Sequence, residues 1–188
     1  MRMEKEKIHV CPVERANSLD NRIRKWYQNP RKILSPYIRE GMRVLDIGCG
    51  PGFFTVEIAK MVGTEGKVFA ADLQDGMLKI VSDKIKGTEI ENRIITVKCD
   101  TDKSNVTEKV DFILAFYMVH EVPDKMLFFY DMKNILKEKG EFLIVEPKYF
   151  HVSKDDFNFT ISQAEKSGLK AYAGPKLLLS QTVILRNN

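Results

Sequence analysis

The sequence VLDIGCGPGFFT, residues 44–55, decides how the rest of this chain can be interpreted. An apolar run reaches Asp46 and is followed by glycines at positions 48, 50 and 52, and then by a helical pattern. Glycine has no Cβ, so it permits positive φ angles and lets a ligand approach the backbone closely. In an open α/β sheet, such a turn lies at the carboxyl ends of the strands, where ligands bind. The stretch therefore predicts a strand, a ligand-binding turn and a helix.

Short apolar runs alternate with helical patterns along the rest of the chain. Runs such as VFAA and DFILAF are almost continuously apolar, which is typical of strands that are covered on both faces. This alternation predicts a parallel, doubly wound sheet with right-handed crossovers. We predict strands over 42–47, 67–71, 93–99, 110–116 and 141–146, helices near 53–62, 75–86, 124–138 and 154–167, and an antiparallel pair from 169–173 and 177–185.

Length and composition restrict the class of protein. The 188 residues suit a single domain. The longest unbroken apolar run has eight residues, at 112–119, whereas a membrane span needs about 18 or more. The first ten residues mix acidic and basic side chains, so no secretory signal is visible. The three cysteines form no CxxC pair and therefore favour free thiols in the cytoplasm.

Positive charge is concentrated at the amino terminus. Residues 1–43 carry eleven Lys and Arg against five Asp and Glu, a net charge of +6, whereas the other 145 residues carry −2. A basic segment of this kind could attract an acidic substrate or a nucleic-acid backbone. A solvated amphipathic helix would account for the same pattern, and the sequence leaves both interpretations open.

The glycine-rich turn could serve two kinds of nucleotide ligand. The dinucleotide fingerprint would need a glycine at position 53, where this chain has Phe53. A carboxylate such as Asp46 is also unfavourable beside a pyrophosphate, whereas a cationic ligand without phosphates reverses that preference. An acid followed by G-x-G-x-G resembles the first motif of the class I S-adenosylmethionine-dependent methyltransferases, a family with a Rossmann-like fold.

The order of the later motifs extends this resemblance over about residues 40–188. Asp72 ends the second predicted strand in VFAADLQDGML, and Asp100 ends the third in ITVKCDTD. The segments 110–122 and 136–147 are similar to the family's fourth and fifth motifs. The resemblance implies an α/β fold with a doubly wound, mostly parallel, seven-stranded sheet in the order 3-2-1-4-5-7-6. In that fold the last strand is antiparallel and helices cover both faces.

The resemblance also implies a cofactor, S-adenosyl-L-methionine, with S-adenosyl-L-homocysteine as the product. Asp72 would hold the ribose diol, Phe116 would lie near the sulfonium, and Asp46 would stand in the acidic position of the first motif. Alternatively, Asp72 and Asp100 only cap the segments that follow them, and Asp46 only orients the loop. The implied cofactor-binding residues are Asp46, Gly48, Cys49, Gly50, Asp72, Leu73, Asp100, Thr101 and Phe116.

Two ionisable residues follow the fourth predicted strand, in YMVHEVPD. His120 titrates near neutral pH and could deprotonate an acceptor hydroxyl, thiol or amine, with Glu121 beside it. Alternatively, both residues cap or orient the helix that begins near Pro123. Tyr117 could contact the substrate or pack in the core.

We predict that residues 1–40 form a helical leader or lid rather than an independent domain, and that residues 41–188 form the cofactor-binding domain. The leader contains Trp26, the only tryptophan of the chain. In this family N-terminal helices often cover the cofactor, so the resemblance would place His9, Cys11, Arg22 or Trp26 near the acceptor. Alternatively, the apolar stripe of this segment docks on the edge of the sheet.

Two further kinds of chemistry are disfavoured by the sequence. No pair of His, Cys or Glu residues has the spacing of a metal site, so we predict no metal. The N/D-P-P-Y/F motif that serves nucleobase or amide nitrogens is missing after the fourth strand, where residues 115–118 read AFYM.

Helix 124–136 carries more apolar residues than one buried stripe requires, so both a monomer and a homodimer remain open.

We therefore interpret the chain as a cytoplasmic S-adenosylmethionine-dependent methyltransferase. Only a leader of about forty residues and short loops remain to build an acceptor site, which favours a small-molecule acceptor and no membrane partner. An RNA methyltransferase that uses the basic leader is the main alternative. An NAD(P)-binding oxidoreductase and a non-catalytic nucleoside-binding module are less favoured.

Overall fold

A computed structural model describes residues 12–13, 28–148 and 152–187 of the chain. The strands of the described part are β1 Arg43–Ile47, β2 Lys67–Asp72, β3 Ile94–Lys98, β4 Val110–Phe116, β5 Leu136–Pro147, β6 Lys170–Ala173 and β7 Ser180–Arg186. The α-helices are α1 Pro30–Leu34, α2 Thr55–Met61, α3 Asp75–Ile85, α4 Lys125–Ile135 and α5 Lys154–Lys166, and short 3-10 helices span Glu91–Arg93 and Val119–Glu121.

The seven strands form one sheet in the order β3-β2-β1-β4-β5-β7-β6, which confirms the predicted fold. The pairs among β1 to β5 are parallel, and β7 is antiparallel to both of its neighbours. The order reverses at β1, where the chain first moves outward to β3 and then returns to β4. In open α/β sheets, ligands bind in the crevice at such a switch point.

Apolar side chains cover both faces of the sheet because successive residues of a strand point to opposite sides. Leu45 of β1 and Phe69 of β2 belong to the core on one face. Val44 and Val68, their immediate neighbours, belong to the core on the other face. Helices therefore pack on two sides, as the continuous apolar runs of the sequence predict.

Local signals explain where two of the helices begin. The Asn29 side chain accepts a hydrogen bond from the backbone N–H of Lys32 at 3.1 Å, so it caps α1. Helix α5 begins with a capping box, in which Ser153 and Asp156 each accept from the other's backbone N–H.

Three predicted boundaries were wrong by three residues or more, since β5 begins at Leu136 rather than 141, β7 begins at Ser180 rather than 177, and α4 ends early. Helix α4 ends at Ile135 rather than at residue 138, because Leu136 already pairs with Val110 as the first residue of β5. The Asn187 side-chain amide donates a hydrogen bond to the Leu136 carbonyl at 2.8 Å and satisfies an acceptor where the helix stops. The helical pattern of the sequence could not reveal this partner, which comes from the other end of the chain.

Within the described ranges, no helix is both long enough and apolar enough to cross a membrane.

The aromatic core on α4 offers a stability test. Phe129 is fully buried and lies against Phe128 and Phe142, with ring centroids 5.3 and 6.2 Å away, whereas the next residue, Tyr130, is 58% exposed. We expect Phe129→Ala to lower the free energy of unfolding by about 3–5 kcal/mol, because it removes buried surface and leaves a cavity. Tyr130→Ala should change it by less than about 1 kcal/mol. Denaturant unfolding of both variants checks this, and equal losses would contradict the assigned burial.

Candidate active site

A cavity of about 330 Å³ opens at the carboxyl ends of the strands, beside the switch point of the sheet. Its walls come from the loops after β1, β2, β3 and β4 and from one residue that precedes α1. The structure brings all nine predicted cofactor-binding residues together around it: Asp46, Gly48, Cys49, Gly50, Asp72, Leu73, Asp100, Thr101 and Phe116. Tyr117 and Glu121 also line the cavity.

The glycines of the loop after β1 have the positive φ angles that the sequence predicts. The φ angles of Gly48, Gly50 and Gly52 are +69°, +53° and +82°. The backbone N–H groups of Gly48 and Cys49 both donate to the Ala71 carbonyl, at 2.8 and 3.0 Å, so the loop is tied to the end of β2. A Cβ at position 48 would lie only 2.7 Å from Cγ of Met118, across the cavity wall. Glycine is therefore required there for close approach as well as for conformation.

Asp46 is buried at the end of β1 and turns its carboxylate toward the first helix after the loop. Its Oδ2 accepts a hydrogen bond from the Thr55 hydroxyl, at 2.6 Å, and both side chains are almost completely buried. This contact fixes the glycine-rich turn between β1 and α2. Asp46 also lines the cavity, so it combines the orienting role with a position beside any bound ligand.

Asp72 holds the opposite side of the loop. Its Oδ2 accepts from the Gly50 N–H at 2.9 Å, and its Oδ1 accepts from the Gln74 N–H at 2.8 Å. Only 6% of this residue is exposed, and burial raises the pKa of its carboxyl despite these two backbone donors and the nearby Lys98. A buried carboxylate at a cavity wall is costly unless it is well paired, and such groups concentrate at functional sites.

The two cysteines of the cavity are held in the neutral form. Burial raises the pKa of the Cys49 thiol well above its ordinary value, and the charges of Asp46 and Asp72 raise it further. Burial, together with Asp72, raises the pKa of Cys99 to about 12. Because the thiolate is the nucleophilic form, both side chains are chemically inert near neutral pH.

Asp100 and Thr101 lie in the loop that follows β3, which ends at Lys98 rather than at residue 99. The Asp100 N–H donates to the Lys103 carbonyl at 2.9 Å, and the Asp100 side chain accepts from the Asn105 side-chain amide at 3.3 Å. Asp100 is exposed whereas Asp72 is buried, so the two acids face the cavity in different environments. The capping alternative for Asp100 is consistent with these loop contacts.

Aromatic rings form one wall of the cavity at the end of β4. The Phe116 ring lies 4.3 Å from Phe54 and 4.6 Å from Tyr117, measured between centroids. Tyr117 has a φ of +60°, which is rare for a residue with a large side chain and often marks functional sites. The chain turns there, so that its ring faces the cavity and the neighbouring ring of Phe116.

The hydroxyl of Tyr117 connects three distant parts of the chain. It accepts a hydrogen bond from the Gln28 side-chain amide at 2.9 Å and lies 2.7 Å from the hydroxyl of Ser180, at the start of β7. Gln28 is 5% exposed and itself lines the cavity. Gln28, a residue of the leader, therefore forms part of the cavity wall, and the sequence analysis missed it.

His120 occupies a different position from Glu121. Glu121 lines the cavity, whereas His120 is not among its lining residues and instead bonds to Glu146 of β5. Burial lowers the pKa of His120, but the hydrogen bond and charge of Glu146 and the charge of Glu121 outweigh it and raise the pKa overall. The sequence places these residues together, but periodicity alone does not show which of them faces the ligand.

Several predicted residues cannot be placed. His9, Cys11, Arg22 and Trp26 lie outside the described residues, so their predicted proximity to the acceptor stays a prediction. Among the lining residues that sequence reasoning missed are Gln28, Phe53, Phe54, Met77, Met118 and Phe128. Met118 directly follows Tyr117 and could have been found from that position, but nothing in the sequence distinguishes the others from core residues. No group of three or more potential metal ligands occurs among the residues that the structure describes.

A parallel sheet with a glycine-rich turn at its switch point and a buried acid ending the next strand is the arrangement of a nucleoside-binding α/β protein. The family model described as "Methyltransferase domain" matches residues 38–176, most of the chain. The chain therefore belongs to the methyltransferase-domain family.

Known proteins share both sequence and fold with this chain. The ubiquinone/menaquinone biosynthesis C-methyltransferase of Idiomarina loihiensis is 34% identical over 110 residues, which cover 58% of this chain and 44% of that protein. The chain thus spans about half the length of such relatives.

Two solved structures show the shared fold. A SAM-dependent methyltransferase from Aquifex aeolicus superposes with a TM-score of 0.81 at 24% identity, covering 95% of this chain and all of that one. An O-methyltransferase of a Brevibacillus brevis multienzyme, solved with S-adenosyl-L-homocysteine, has a TM-score of 0.60 at 18% identity. The match covers 70% of this chain and 48% of the O-methyltransferase chain.

The raised pKa values of the cavity thiols predict how they react. At about pH 8, a thiol with the reference pKa of about 8.5 is partly ionised and reacts with iodoacetamide. We expect Cys49 and Cys99 to remain unmodified in the folded chain and to react once guanidinium chloride unfolds it. Mass spectrometry of the two tryptic peptides measures this. Rapid alkylation of either thiol without unfolding would show that it is accessible and ionised.

Proposed function

We propose that this protein is an S-adenosyl-L-methionine-dependent methyltransferase that acts on a small-molecule acceptor. The observation that carries the proposal is that Asp72 and the glycine loop line the same cavity, where the acid accepts from the Gly50 N–H and the glycines adopt positive φ angles. The residues fit the cofactor, because the glycine loop and the buried acid line one cavity and the acid offers acceptors to a ribose diol.

When bound, S-adenosyl-L-methionine supplies an electrophilic methyl group on a positively charged sulfur. In our proposal Asp72 binds the ribose hydroxyls, and Gly48, Cys49 and Gly50 follow the ribose and methionine. Leu73, Asp100 and Thr101 border the adenine, in keeping with their positions along the cavity wall.

The reacting end of the cavity combines aromatic and acidic groups. The rings of Phe116 and Tyr117 present electron-rich faces that attract a cation, and Asp46 adds a negative charge nearby. Glu121 is the ionisable group of the 3-10 helix that lines the cavity, so we assign it the role of accepting a proton from the acceptor. His120 is assigned an indirect role, since it contacts Glu146 instead.

Two observations support a small-molecule acceptor. The cavity is of the size of ordinary small-molecule sites, which range over about 300–1,000 Å³, and Phe53, Phe54, Phe116 and Tyr117 give it a largely aromatic wall. A relative at 34% identity is named for a C-methyltransferase of quinone biosynthesis. We therefore propose an aromatic acceptor with an ionisable hydroxyl.

The leader completes this proposal. Residues 1–40 would act as a lid over the cavity and 41–188 as the cofactor-binding domain. Gln28 belongs to this segment and lines the cavity, which supports a lid that contacts the bound acceptor. In this proposal His9, Arg22 and Trp26 contribute to acceptor binding together with Tyr117.

Cofactor binding can be tested with two neighbouring acids. We expect Asp72→Ala to weaken the binding of S-adenosyl-L-homocysteine at least 10-fold, because it removes two acceptors from a buried site. Asp75→Ala is the matched control, since this exposed acid pairs with Lys98 outside the cavity and its loss should change the affinity less than twofold. Isothermal titration calorimetry measures both. Equal affinities for the wild type and Asp72→Ala would contradict the proposed cofactor site.

Methyl transfer can be tested directly with labelled S-adenosyl-L-methionine. We expect label to enter 1,4-naphthohydroquinone, an aromatic probe with ionisable hydroxyls, and expect Asp72→Ala to abolish the transfer. Total RNA serves as the competing probe, because an RNA methyltransferase would label it with a rate that falls steeply as salt increases. Labelling of RNA and of no small-molecule probe would overturn the proposed acceptor class.

A further inference from the structure

Glu146 is a buried carboxylate beside the cavity to which the function proposed above assigns no direct role. It lies near the end of β5 and is 1% exposed. Its Oε1 accepts from the His120 backbone N–H at 3.1 Å, and its Oε2 lies 2.6 Å from Nδ1 of the His120 ring. The carboxylate therefore binds the same residue twice, once through the backbone and once through the side chain.

This double contact anchors the short helix that borders the cavity. In a 3-10 helix residues three positions apart lie on the same side, so Met118 and Glu121 face the cavity together. His120 points elsewhere, toward Glu146. The strand and the helix are thus connected behind the cavity wall, while Glu121 stands on the wall itself.

The charges around the imidazole favour its protonated form. Glu146 of β5 and Glu121 of the same 3-10 helix raise the pKa of His120, and Lys125 of α4 opposes them. The Lys125 side chain donates to the Val122 carbonyl at 2.9 Å, and burial lowers its pKa although Glu146 and Asp156 act against this. The contribution of the His120–Glu146 pair is therefore fully present below the unfolded pKa of histidine, and it is lost as the pH rises through the higher folded pKa.

We propose that Glu146 is a positioning residue, which acts through His120 to hold the Glu121 carboxylate against the cavity. This inference rests on the proposed function, in which the proton of an acceptor hydroxyl moves to Glu121. In that step the O–H bond breaks, its electron pair stays on the acceptor oxygen, and the proton binds a Glu121 oxygen. Because proton transfer depends on sub-ångström placement, a shifted helix slows it even when ligands still bind.

The test compares two glutamates of the same strand. Glu146→Gln keeps the shape and removes the charge, whereas Glu141→Gln is the matched control, since Glu141 pairs with Arg186 near the middle of β5, outside the cavity lining. We expect Glu146→Gln to lower kcat for methyl transfer to 1,4-naphthohydroquinone about 100-fold, as for a misplaced catalytic group. The KM for the cofactor and the dissociation constant of S-adenosyl-L-homocysteine should change less than twofold. Glu141→Gln should leave all three unchanged.

A double-variant cycle shows whether Glu146 acts through His120. If it does, the variant with both Glu146→Gln and His120→Gln should lose no more kcat than the more impaired single variant. Losses that multiply would overturn the proposal, and so would an unchanged kcat in Glu146→Gln. A matching loss of cofactor affinity would overturn it as well, because the residue would then merely support the fold.

A spectroscopic arm separates failure of this inference from failure of the proposed function. Nuclear magnetic resonance follows the His120 ring during a pH titration, with the signal assigned by His120→Gln. We expect the His120 pKa to fall in Glu146→Gln and to stay unchanged in Glu141→Gln, whether or not the naphthohydroquinone is methylated. An unchanged His120 pKa in Glu146→Gln would show that Glu146 does not contact the ring and would overturn the inference. A lowered His120 pKa without any methyl transfer would confirm the contact but overturn the proposed function, and with it the positioning role of Glu146.

Discussion

The hydrogen bond from the Gly50 N–H to the Asp72 carboxylate is the contact on which the rest of the site depends. It joins the loop after β1 to the end of β2, and the same acid also accepts from Gln74 at the start of the next crossover. Since Asp46 binds Thr55 in turn, two buried carboxylates determine both sides of one glycine-rich turn. The glycines permit the turn, but the acids hold it in one conformation.

This arrangement gives the cavity a consistent electrostatic character. Its buried acids lie beside two thiols whose pKa values are raised, so the negative charge comes from carboxylates alone. An inert Cys49 is well suited to a cavity that binds an electrophile, because a thiolate there would compete with the acceptor for the methyl group. The aromatic wall at Phe116 and Tyr117 extends the same preference for a cation. The buried acids and the aromatic wall are therefore compatible with a positively charged ligand, and Lys103 contributes a positive charge at the adenine end assigned above.

The sequence was sufficient to predict the strands of the sheet and several loop residues that line the cavity, for physical reasons. The positions of the strands and of the glycine turn depend on patterns that are local and repeated, such as the apolar run that ends at Asp46, whereas the strand order came from the resemblance to the methyltransferase family. The Leu136 boundary, the Tyr117 hydroxyl network and the Glu146 contact were not predicted, because each depends on a partner far away in the chain. His120 and Glu121 show that this limit of sequence-based prediction also holds for two adjacent residues. Both were predicted as catalytic from their position after β4, but only tertiary packing separates the side chain on the cavity wall from the one behind it.

One described residue of the basic amino-terminal segment lies in the cavity wall. The first 43 residues carry +6, and the described end of that segment enters the cavity wall at Gln28. Gln28 donates to Tyr117, whose neighbour Phe116 closes the aromatic wall, so the basic segment meets the cavity at the end assigned to the acceptor. A cofactor bound by carboxylates does not need this positive charge, whereas an acceptor whose hydroxyl is losing a proton becomes an anion. If basic side chains of the leader reach that end, they would stabilise the anion and favour the same proton transfer to Glu121 that the proposed function assigns.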